Sequence, residues 1–304
     1  MKILLVGFGA LGMRHLQSIE GIDAKIDVIE ISQENILENS KSISKKNLKK
    51  ISFHEDYKHL ENYYDVCIIS TSSGPRLKII KKLQDVCSWK FLILEKFLFP
   101  DEGHYVDFED SYKFEINNVY VNCPRRYYGD YQNIKNLNNT NDFKSLEVYG
   151  NNWGMCTNGI HFLDLHRFLS DKDLTSVSVK NVRKKKSKRQ GYDEIAGNLL
   201  FSSDTTKLEL TSEDCMREES LKIRIIYSNN TYEIDEIGLK IISKQGNRIK
   251  KDIFNPIFQS NLTQRYLEDL MDSNCIKLTK YLDSQKDHLM FLRALNRDLS
   301  IQIT

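Results

Sequence analysis

Short apolar runs alternate with amphipathic stretches through the first 120 or so residues. Ile3, Leu4, Leu5 and Val6 form an unbroken apolar run, the pattern of a strand covered on both faces. Leu11, Leu16 and Ile19 then recur at helical spacing. Strand-like runs follow at 24–32 (AKIDVIEIS), 50–56 (KISFHED), 65–70 (DVCIIS), 89–95 (WKFLILE) and 118–123 (NVYVNC), with an amphipathic stretch at 76–84 (RLKIIKKLQ). This βαβα rhythm predicts a doubly wound parallel sheet. From about residue 143 the rhythm changes. Runs at 143–152, 174–182, 194–203, 205–213, 221–228 and 231–243 succeed one another across short polar turns, which predicts a mostly antiparallel sheet. The tail, 259–300, returns to helical spacing. The fold class is therefore α/β, with an N-terminal domain over 1–120 and an α+β domain over 121–304.

The first strand meets the first helix through Gly7-Phe8-Gly9-Ala10-Leu11-Gly12. Glycines at this spacing, between a strand and a helix, point to a Rossmann-type dinucleotide site. Gly7 allows the tight turn, Gly9 lets the backbone approach a pyrophosphate, and Gly12 lets helix and strand pack closely. Ala10 and Leu11 open the helix, whose free N–H groups and positive dipole end favour phosphate. A glycine-rich turn in another α/β protein is the competing reading, and the second strand favours the nucleotide. It ends near Glu30, about 20 residues on, where an acidic side chain meets the adenosine ribose hydroxyls. The following ISQENILENS holds no Lys or Arg to receive a 2′-phosphate, so NAD is expected ahead of NADP.

Composition narrows the function classes. In 304 residues, 44 basic side chains stand against 42 acidic ones, which gives no electrostatic case for nucleic acid or a membrane surface. The apolar start leads into the glycine turn rather than a cleavage site, so no secretory leader is expected. The six cysteines are scattered without a C-x-x-C pair, as suits thiols in a reducing compartment. A cytoplasmic, metal-free protein is expected. The run RKKKSKR (183–189) has no interleaved aromatic residue and reads as a solvated loop between strands.

Four separated segments resemble the Gfo/Idh/MocA family of NAD(P)-dependent sugar oxidoreductases: GFGALGMRH, IISTSSGPR (68–76), LILEKFLFP (92–100) and NGIHFLDLHRFL (158–169). SNLTQRYLEDL (260–270) and LTKYLDSQKDHLMF (278–291) are similar to the family's closing helices. The resemblance implies a loop at Thr71 and Ser72 beside the nicotinamide, and an E-K-P-like segment that puts Glu95 on the cofactor side. It implies Lys96 and His161 as the catalytic pair, a small-molecule sugar substrate bound between the domains, and a homodimer or homotetramer. Three positions depart from the pattern: Phe97 replaces the proline, Arg76 a histidine, and Thr157 the acid four residues before His161.

The residues themselves carry part of this chemistry. Ligands of doubly wound sheets bind outside the carboxyl ends of the strands, where Glu95 and Lys96 close the fifth one. A lysine there can take or give a hydroxyl proton, or merely end a strand at the surface. His161 and Asp164, three apart, share a helical face, although a packed core histidine is the alternative. The resemblance puts Thr157 and Asp164 on the substrate side, with Asp164 expected to orient the helix or the histidine more than to touch substrate. Arg125 and Arg126 could fork onto a substrate carboxylate or phosphate, or form interdomain salt bridges. The segments 122–135 and 152–165 are similar to members that act on amino-sugar, acidic-sugar or nucleotide-sugar substrates in bacterial surface-polysaccharide pathways. A non-catalytic NAD-bound sensor or scaffold of the same fold, and NAD recycling within one turnover, remain open alternatives.

Overall fold

A computed structural model describes residues 1–187, 191–215, 219–299 and 301 of the chain. Two units emerge, Met1–Pro124 with Ile257–Gln285, and Arg125–Pro256 with Lys286–Thr304. In chain order the first unit contributes β1 (Lys2–Val6), α1 (Ala10–Ile19), β2 (Lys25–Ile29), α2 (Gln33–Ser40), α3 (Lys45–Leu48) and β3 (Ile51–His54). Then come β4 (Tyr63–Ile69), α4 (Ser73–Leu83), β5 (Ser88–Glu95), α5 (Glu102–Ser111) and β6 (Val119–Asn122). The second unit follows with α6 (Gly129–Leu137), β7 (Phe143–Asn151), α7 (Met155–Ser170), β8 (Ser176–Lys186), β9 (Asp193–Ser202) and β10 (Lys207–Glu213). It continues through β11 (Lys222–Tyr227), β12 (Asn230–Asp235), β13 (Lys240–Gln245) and β14 (Arg248–Ile253), before the tail of α8 (Thr263–Ser273), β15 (Thr279–Lys280) and α9 (Tyr281–Leu299).

The first unit's sheet runs β15-β6-β5-β4-β1-β2-β3, parallel except at the β15–β6 edge. Ile3, Leu4 and Leu5 are wholly buried, as a central strand requires. The first unit differs from the 1–120 domain read from the sequence, because 257–285 return to it rather than staying within 121–304. β15 pairs along Tyr120 and Val121 of β6, and α8 turns Tyr266, Leu267 and Leu270 inward as it packs against α1. The apolar stripe of α8 was legible, but a stripe does not name the surface that it meets.

The second unit's sheet runs β14-β13-β12-β11-β7-β10-β9-β8, antiparallel except for the parallel pair β7–β10. α7 lies against β7, β9 and β10. The single run at 231–243 divides into β12 and β13 at a turn where the Gly238 N–H donates to Asp235 Oδ1 at 2.7 Å. β14 escaped sequence reading because its six residues are all exposed and lack alternation. The basic run corrects a second expectation. Residues 183–186 are not a loop but the end of β8, paired with 193–196 of β9. Exposed edge strands carry lysines without cost and resist mispairing. Lys188 and Arg189 lie outside the described residues. Among the described residues, no helix is long and apolar enough to cross a membrane.

Candidate functional site

The glycine turn closes β1 onto α1. Gly7 has φ +90°, and a Cβ on Gly12 would stand 2.0 Å from the Gly7 carbonyl oxygen, so neither position tolerates a side chain. Gly9 differs from both: a Cβ there would meet nothing within 4 Å. It is also the N-cap of α1, with no capping side chain and no acidic residue in the first turn. The first N–H groups of the helix, at Ala10, Leu11 and Gly12, therefore have no partner within the helix. The turn is held at Phe8, whose N–H donates to Glu30 Oε2 at 2.7 Å and whose carbonyl accepts from Asn39 Nδ2 at 2.6 Å. Glu30 Oε1 accepts the Ser32 N–H at 3.0 Å, so each carboxylate oxygen keeps one lone pair for another donor. Thr71 follows β4 beside Gly7, and its buried Oγ1 has no partner among the described residues. Ser72 is the exposed N-cap of α4. An open glycine at an uncapped helix end, an acid at the end of β2 and an orphaned hydroxyl fit a dinucleotide.

The end of β5 is tied down from two sides. Glu95 is buried, and its Oε1 meets His15 Nε2 at 2.8 Å and Asn122 Nδ2 at 2.5 Å. His15 Nδ1 lies 2.8 Å from Thr263 Oγ1, and Asn122 Oδ1 accepts from the Tyr266 hydroxyl at 2.8 Å. With Nε2–H donating to the carboxylate, Nδ1 accepts from the threonine. Glu95 is thus the hub of a network reaching into α8. On the other side, Arg76 donates to the carbonyls of Thr71 (2.5 Å), Glu95 (2.6 Å), Leu98 (2.7 Å) and Phe97. Burial pushes its guanidinium down to about 10, against the opposing pull of Glu95 and Tyr105. Lys96, partly buried, stands in the segment held between these anchors. The Lys96–Phe97 peptide bond is cis although no proline stands at 97.

In the second unit the remaining residues gather around α7. Thr157, His161 and Asp164 recur at i, i+4 and i+7 on one helical face, with His161 and Asp164 buried. Asp164 accepts from Arg126 Nε at 3.0 Å on both oxygens. Arg125 forks onto Glu236, Nε to Oε1 at 2.9 Å and Nη2 to Oε2 at 2.6 Å, and lies 4.3 Å from the Phe162 ring centroid. Burial alone would lower the pKa of Arg125; the Glu236 carboxylate outweighs it and raises the pKa above the ordinary value. Both arginines are ion-pair partners within their own unit. Sequence reading also missed Glu194 of β9. Its Oε1 accepts the Cys156 N–H at 2.5 Å and its Oε2 lies 3.5 Å from Thr157 Oγ1. An acid thus stands beside Thr157, but it arrives from a strand, which no local spacing could announce. His15 and Asn122 were missed as anchors, although His15 sits inside the glycine motif.

No protein-family model matches the sequence, and no curated protein matches it. Solved structures do match in fold. A Gfo/Idh/MocA family oxidoreductase from Vibrio cholerae superposes with a TM-score of 0.72 at 14% identity, over 98% of this chain and 97% of that one. A myo-inositol dehydrogenase from Lactobacillus casei, solved with NAD(H) and myo-inositol, gives 0.71 at 16% identity over 100% and 96%. A UDP-N-acetylglucosamine 3-dehydrogenase from Acidithiobacillus ferrooxidans gives 0.71 at 12% identity over 97% and 95%. Identities this low speak to architecture, and the chain has the fold of the Gfo/Idh/MocA oxidoreductases over 98% of its length.

Proposed function

We propose that the chain is an NAD-dependent oxidoreductase acting on an alcohol carbon of a sugar derivative, in the class spanned by polyols, amino or acidic sugars and nucleotide sugars. The observation that carries this is the open side of Gly9 at the uncapped start of α1, within a turn held by Glu30. Gly7, Gly9, Ala10, Leu11 and Gly12 would hold the pyrophosphate, and Glu30 the adenosine ribose. Thr71 and Ser72 would flank the nicotinamide. When bound, that ring supplies the hydride acceptor or donor.

Oxidising a secondary alcohol also requires a base for the hydroxyl proton. Lys96 Nζ takes that proton in the oxidative direction and returns it in reduction. In this scheme Glu95 anchors the segment and Lys96 moves the proton, with Glu95 Oε1 held by His15 and Asn122. His161 supports the relay and recognises the sugar, with Glu194 fixing the start of its helix. Proton transfer by a positioned group contributes roughly 10²–10⁴-fold, so Lys96→Ala should lose about that much turnover while NAD still binds. His161→Ala should impair both substrate affinity and rate. Single-turnover NADH absorbance with a panel of these sugar classes tests the scheme. A wild-type rate in Lys96→Ala removes the lysine from the chemistry. If the wild type turns over no sugar derivative, the chain is a non-catalytic NAD-binding protein of this fold.

A further inference from the structure

Two loops at the carboxyl edge of the parallel sheet share one side chain. Arg76, in the first turn of α4, is 1% exposed. Its Nη1 donates to the carbonyls of Glu95, Phe97 and Leu98, and its Nη2 to that of Thr71. Three of these acceptors bracket Lys96, and the fourth belongs to the loop of Thr71 and Ser72. Its hydrogen-bond partners among the described residues are all backbone carbonyls. A buried guanidinium without a contacting carboxylate is costly, and only its planar fork can meet several carbonyls at once. A histidine has at most two N–H donors, and a lysine has three on a single nitrogen, so neither spans the four carbonyls as the fork does.

Resting on the function proposed above, we infer that Arg76 is a positioning residue for the reaction. It fixes the 95–98 backbone against the 71–72 loop and thereby sets where the Lys96 side chain stands. Every one of its bonds falls on the two segments that carry Lys96 and the loop of Thr71 and Ser72.

Arg76→Lys keeps the charge and loses the fork, whereas Arg76→Gln keeps a donor and loses the charge. Both are compared with wild type, folding being checked by thermal melts, and one folded variant suffices. Acetic anhydride labelling read by mass spectrometry gives the acetylation rate of Lys96 relative to surface lysines in the same sample. Misplacing a reacting group by about 1 Å costs on the order of 10²-fold, so turnover should fall roughly 10- to 100-fold. The sugar KM and NAD affinity should change little, and the relative Lys96 acetylation rate should shift. A folded variant with unaltered turnover and unaltered Lys96 labelling overturns the assignment. If the wild type proves inactive on every sugar, the proposed function fails, and the labelling rate alone decides whether Arg76 sets the place of Lys96.

Discussion

Glu30 is a scaffold for the glycine turn, and in the proposed function it is also the recognition element for the adenosine ribose. Its Oε2 carries the Phe8 N–H and its Oε1 the Ser32 N–H, and it is buried. Hydrogen bonds to a charged group contribute about 1.5–3 kcal/mol, more than neutral ones. Glu30→Gln must turn an NH2 toward one of these donors, so the glycine turn loosens as the negative charge disappears. NAD affinity should therefore fall by roughly tenfold, about 1.4 kcal/mol. NADP affinity should fall less, because the repulsion of a 2′-phosphate is relieved. Titration of both cofactors against wild type and variant measures the ratio, and an unchanged NAD-to-NADP ratio would remove Glu30 from cofactor choice. The acid at 30 was readable from its distance to the glycines. Its grip on Phe8 was not, since nothing local marks a side-chain bond across 22 residues.

Among the elements, α7 departs furthest from what its sequence spacing announces. The shared face of His161 and Asp164 was legible from their separation, but the partners of that face, Arg126 and Glu194, come from elsewhere in the chain. His166 points the other way, with Nε2 3.0 Å from Thr206 Oγ1 and the Phe143 ring edge-on at 5.3 Å. Burial, and then Arg167, depress its pKa to about 3. The unfolded chain binds the proton near pH 6.5 and the folded one does not, so acid favours unfolding. The stability linked to His166 is fully present above about pH 6.5 and is lost progressively as pH falls toward 3. By pH 5 the loss should reach about 2 kcal/mol. Gln at 166 can keep a bond to Thr206 but cannot titrate. Urea unfolding between pH 7 and 5 should give a shallower slope for His166→Gln, and parallel slopes would exclude the histidine as the source.

For the whole molecule, the parallel strands of the first unit followed from hydrophobic rhythm, but the unit's completeness did not. Residues 1–124 include the glycine turn, Glu30, Thr71 and Lys96, yet several partners of the polar groups around them lie in 257–285. His15 needs Thr263, the Ser18 hydroxyl accepts the Gln264 N–H at 2.9 Å, Asn122 accepts from Tyr266, and β6 pairs with β15. Each buried polar group stripped of its partner costs about 1–3 kcal/mol, against a total stability on the order of 5–15 kcal/mol for a domain. Loss of the Tyr266, Leu267 and Leu270 contacts removes further apolar burial from α1. A chain of residues 1–124 alone should therefore melt without a cooperative transition and bind NAD weakly. The same residues joined through a flexible Gly/Ser linker to 257–285 should regain a cooperative melt and NAD binding, because loop closure costs grow only slowly with length. Calorimetry and NAD titration of the two proteins make the comparison. A cooperative, NAD-binding 1–124 would show that the returning tail is dispensable to the nucleotide fold, and an unfolded fusion would show that the second unit's residues are needed to complete it.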